Sequence, residues 1–235
     1  GDRLTCDATS HPDMFELLPS TLGTLGYALS LVLDIEKIKP YVFSKTLHYD
    51  NFNEYVSNML RLMKDPTIDF LDGTIFNPTD FVIIIGKQTE QKPRTLHGKT
   101  LGKVYYQMVR DGYSATFEYF DYIYRWDVDG YYSFYDDAWS SKLMRNVVFR
   151  KILDKRLFSE TRLRNLGELF GVHSLDSNGQ IKAYVGDFML PMESAPQYFE
   201  WFAKHGNECY PIYICPIHFP KKSPFINTDA VSLDF

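Results

Sequence analysis

The chain has no excess of basic charge: 25 Lys and Arg stand against 30 Asp and Glu, a net charge of −5. A protein that holds nucleic acid through its phosphates needs a basic face, so that class of partner is set aside. Cysteine is scarce. Cys6, Cys209 and Cys215 give neither an even disulfide set nor a metal-ligand spacing, which points to a reducing, intracellular compartment. Long apolar runs are missing too, since stretches such as Phe81–Ile85 fall far short of the ~20 residues that span a bilayer. No signal-peptide pattern is visible, which leaves residues upstream of Gly1 open. The six histidines are scattered without metal-helix spacing, and no Ser/His/Asp or Cys/His constellation emerges. Only His218, after an apolar strand, stands where a pocket mouth could be.

What the chain has in quantity is aromatic rings: 17 Tyr, 18 Phe and 3 Trp in 235 residues. That load suits a sheet-rich core or a large apolar pocket, and the length suits one large or two small domains. The pattern reads as follows. Tyr41–Tyr49 alternates and predicts a strand. Asp50 or Asn51 caps a helix through Met63, with Phe52, Tyr55, Val56, Met59, Leu60 and Met63 on one side, and Asp65-Pro66 ends it. Thr67–Phe76 and Phe81–Lys87 form a hairpin about the turn Asn77-Pro78-Thr79-Asp80. Later, Ile181–Leu190, a helix Met192–Lys204 and Tyr210–Ile217 repeat the strand–helix–strand order. The expectation is an α+β fold, one antiparallel sheet with helices on a single face. Between the two units, the polar, Gly-rich residues 90–103 read as a loop, Ser140–Lys155 and Ser159–Phe170 as amphipathic helices, and residues 173–179 as a turn. Ala230–Phe235 reads as a strand with no partner assignable within the chain.

Three places could carry chemistry. In Asp121-Tyr122-Ile123-Tyr124-Arg125-Trp126-Asp127 a guanidinium and two carboxylates sit among large apolar and aromatic side chains. Arg125 can stack on a ring or fork onto a carboxylate, and Asp127 is one candidate partner. Either an ion pair pins a loop to the core or the group belongs to an active site. Asp187 falls on the face of its strand shared with Ala183, Val185 and Met189, and Asp72 falls beside Phe70, Thr74 and Phe76. A carboxylate on an apolar face must be paired, protonated or hydrogen-bonded, so each is a structural ion or a site residue.

The third feature is the stretch His11–Pro40. A short amphipathic turn (Met14, Phe15, Leu17, Leu18) leads through Pro19 and Ser20 into Thr21-Leu22-Gly23-Thr24-Leu25-Gly26, and Tyr27–Ile35 then alternates as a strand ending near Pro40. Two glycines three apart let a backbone approach a flat or charged partner, although on their own a tight turn before a strand explains them at least as often.

Taken with DFLDG at 69–73, DYIYRWD at 121–127, YVGDFMLPM at 184–192 and YPIYICP at 210–216, the Gly-Thr-Leu-Gly stretch resembles the vanillyl-alcohol-oxidase-type FAD-linked oxidoreductases, specifically the Dwarf1/seladin branch that includes Δ24-sterol reductase. The resemblance runs over nearly the whole chain. It implies that residues 1–38 end an FAD-binding domain, 39–219 form a substrate-binding cap, and 220–235 connect to a strand returning to the flavin domain. Gly1 is similar to the glycine of an Asp-Gly hairpin in that domain, with Leu4–Cys6 as the returning strand, so the chain is read as starting in mid-domain. Ser20, Gly23, Thr24, Leu25 and Gly26 are then the cofactor-binding residues, and Asp187, Arg125, Asp72 and Asp127 the catalytic candidates. The cofactor implied is FAD, with NADPH as electron donor in the sterol enzymes, and the partner a small lipophilic, sterol-like substrate. Any membrane association would come from residues preceding Gly1. Where the sterol reductases carry a His/Arg-rich stretch, this chain reads Arg125-Trp126-Asp127-Val128-Asp129-Gly130, which is similar to microbial and fungal relatives and detaches the sterol from the expectation. The family's first, Gly-rich flavin segment is not in this sequence. Two alternatives remain on the same residues: a cofactor-less binding or structural module, and an FAD-dependent sugar or alcohol oxidase.

Overall fold

The computed structural model describes residues 2–18, 21, 23–94, 105–126, 187–191, 194–205, 210–217 and 230–234, with backbone alone for 187, 188 and 230–234. The expected helices at 140–155 and 159–170, together with Ser20, Asp127, Cys209 and His218, lie outside the described residues.

A run of four apolar residues, Phe81-Val82-Ile83-Ile84, is fully shielded from solvent. A strand can bury every side chain only if both faces of its sheet are covered. That strand, β3 (Asp80–Thr89), lies between β1 (Tyr41–Tyr49) and β2 (Phe70–Asn77), and it pairs antiparallel with both. The sheet extends outward through β4 (Ser114–Glu118) beside β1. On the other side come β6 (Ile212–Ile217), β7 (Ala230–Asp234) and β5 (Asp187–Pro191), giving the order β4-β1-β3-β2-β6-β7-β5. Every described pairing is antiparallel.

Two long helices cover one face, as the sequence predicts. They are α2 (Phe52–Met63) and α5 (Ala195–His205). The α2 N-terminus is capped by Asn51, whose side chain accepts a hydrogen bond from the Glu54 N–H at 3.1 Å. Tyr55, Val56, Met59 and Leu62 from α2, and Phe199 and Phe202 from α5, pack on Ile75, Phe81, Ile83, Ile212 and Ile214. The Phe52 and Phe199 rings stack at 4.0 Å and join the two helices.

The opposite face is covered as well, by two short helices that the sequence reading missed. These are α3 (Tyr105–Asp111) and α4 (Tyr119–Ile123), and they flank β4 in a stretch expected to hold no element before residue 140. Their Tyr105, Met108, Val109 and Tyr122 pack on Val42, Val82, Ile84 and Phe117. Seven and five residues are too short for an amphipathic period to stand out, and so many aromatic residues in the stretch blur it further.

Three other expectations are corrected. Ala230–Asp234 does find partners within the chain, lying as β7 between β6 and β5. Tyr27–Ile35 is not a strand: its alternating side chains have no sheet to join among the described residues, and Leu29, Leu31, Leu33 and Ile35 are all more than 70% exposed. Leu4–Cys6 likewise forms no strand. The helix α1 spans Pro12–Leu17 with no buried residue.

Candidate functional site

Alternation along β2 sends Asp72 and Thr74 to the face that α3 and α4 cover, opposite Ile84 and Val82 of β3. There Asp72 meets Arg125, which follows α4. The guanidinium Nη2 donates to Asp72 Oδ2 at 2.5 Å, Nη1 donates to the Tyr122 carbonyl at 2.9 Å, and Nε donates to the Tyr105 hydroxyl at 2.9 Å. The Tyr122 ring lies 4.1 Å from the guanidinium carbon, with Tyr105 at 5.3 Å and Trp126 at 5.8 Å. A buried guanidinium needs this enclosure: aromatic faces and acceptors replace the water it gives up. The polar chain runs on from Tyr105 to the Tyr113 hydroxyl (2.8 Å), then to Ser44 Oγ (2.9 Å), and Ser44 donates to the Ile85 carbonyl.

The pair is not symmetric. The Arg125 side chain is 9% exposed and that of Asp72 is 26% exposed, although the Asp72 Oδ1 atom is itself buried. Burial pushes the Asp72 carboxyl above its ordinary range, and the adjacent Arg125 only partly pulls it back. Arg125 stays charged throughout the accessible pH range. Asp72 Oδ1, Thr74 Oγ1 and the Tyr122 hydroxyl are buried without a hydrogen-bond partner. The Tyr122 hydroxyl presses on Gly86 of β3, where a Cβ would stand 2.7 Å from it. Only glycine lets the ring lie that close to the strand.

Two of the four catalytic candidates, from segments 53 residues apart, are therefore in direct contact. Asp187 is not with them. It opens β5 at the sheet edge, three strands from Asp72, or about 14 Å at ~4.8 Å per strand. Its backbone nevertheless falls in one cross-strand row with Asp234, Tyr213 and Thr74. The partners that sequence reasoning missed are Tyr105, Tyr113 and Ser44. Ser44 alone was legible, as a small polar residue on the same alternate face as Val42; among seventeen tyrosines nothing distinguished the other two.

The glycine turn stands apart. Gly23 has φ 78°, a conformation that favours glycine, and Gly26 has nothing within 4 Å of where a Cβ would be. The turn is held from within: Thr24 Oγ1 donates to the Thr21 carbonyl at 2.7 Å, and Thr21 Oγ1 to that of Leu18 at 2.9 Å. Leu25 is half exposed. None of the described hydrogen bonds or ion pairs joins this turn to the Arg125 cluster.

Among the described residues no group of His, Cys, Asp or Glu could hold a metal ion, and no helix is long and apolar enough to cross a membrane. Comparison with known protein families and with curated proteins returns no match. What is defined is an antiparallel α+β sheet domain, with a buried arginine–carboxylate–tyrosine cluster on one face.

Proposed function

We propose that the protein is an FAD-dependent oxidoreductase in which this sheet roofs the cofactor, with hydride passing to or from a small lipophilic or alcohol substrate. The observation that carries the reading is the Arg125–Asp72 pair. A charged group is buried on a sheet face, and the oxygens beside it (Asp72 Oδ1, Thr74 Oγ1) are left without partners. Buried polar atoms left open in this way cluster at sites that receive a ligand group. The half-buried, positive-φ backbone at Gly23 and the open space at Gly26 fit a loop that lies against a flat cofactor, with Thr24 and Leu25 beside it, and Ser20 is kept as a candidate from the sequence alone.

FAD when bound supplies the hydride chemistry, and the chain supplies orientation and a water-poor wall. Arg125 holds a fixed positive charge at a known position, Asp72 is the titratable group next to it, and Tyr105 fixes the guanidinium plane. Asp187 and Asp127 remain candidates for the proton source. The test is anaerobic addition of NADPH to the protein purified from its natural source. Bleaching of the visible flavin bands supports the reductase form. Hydrogen peroxide made from an alcohol or sugar without any nicotinamide supports the oxidase form.

One observation favours a second reading, a cofactor-less binding module. The exposed apolar run from Tyr27 to Ile38 is a ready interaction surface. A colourless natural protein would favour it.

A further inference from the structure

We draw no further inference here: the strongest candidate, the exposed apolar run from Tyr27 to Ile38 ahead of β1, carries nothing because nothing in the structure shows what covers it.

Discussion

Replacing Asp72 by alanine isolates what the ion pair does for the fold. Arg125 would keep its bonds to Tyr105 and to the Tyr122 carbonyl, but its charge would lose the only carboxylate it touches among the described residues. Breaking a buried pair on one side typically costs about 3–5 kcal/mol, because the stranded charge has no water to return to. Asp72 is a quarter exposed, so solvent can screen part of the loss, and the low end, about 3 kcal/mol, is expected. For a chain of this size that lowers the melting temperature by roughly 6–12 °C. Urea melts of the wild type, Asp72→Ala, Arg125→Met and the double variant form a cycle. The double variant should be less destabilised than the sum of the singles, since removing both charges leaves neither one stranded. A loss under about 0.5 kcal/mol for Asp72→Ala, or strict additivity, would refute the claim that the two residues act as one buried pair.

The other predictions concern the same cluster and its frame. Because burial holds the Asp72 carboxyl above its ordinary value, the folded state keeps that proton more tightly than the unfolded chain. Wild type should therefore lose stability relative to Asp72→Asn as pH rises through the carboxylate range and beyond; a relative gain would mean that Arg125, not burial, dominates. Gly86→Ala places a methyl 2.7 Å from the Tyr122 hydroxyl and 3.1 Å from Phe70 Cβ, so an overpacking loss of about 1–3 kcal/mol should follow, partly relieved by Tyr122→Phe. Equal losses in both backgrounds would show that the hydroxyl is not the obstruction. Asn51→Ala removes the cap of α2 and should lower stability by about 1 kcal/mol in chemical melts, without altering any ligand binding on the far face.

The sheet was readable because alternation and turn chemistry are local. Tyr41–Tyr49, the Asn51 cap and the Asn77–Asp80 turn, where Asn77 Oδ1 takes the Thr79 N–H at 2.9 Å, all declare themselves within a few residues. Asp72 was legible as a carboxylate on an apolar face, and Arg125 as a guanidinium among rings. Their pairing was not, because 53 residues separate them and no short-range pattern encodes which buried charge meets which. The same limit hid the neighbours of β7: a strand's sequence gives its propensity but not its partner, and Ala230–Asp234, read as a strand, is placed by register with β5 and β6 alone. Tyr27–Ile35 failed in the opposite direction. Its alternation is as regular as that of β1, yet propensity alone does not make a strand where no described edge accepts it.

The central claim, that this aromatic-walled sheet face serves a flavin, is tested most directly by the visible absorption of the protein isolated from its natural source, followed by acid extraction of the chromophore. The account predicts a yellow protein that releases FAD in an amount equimolar with the polypeptide. A colourless preparation that also fails to take up added FAD would contradict it.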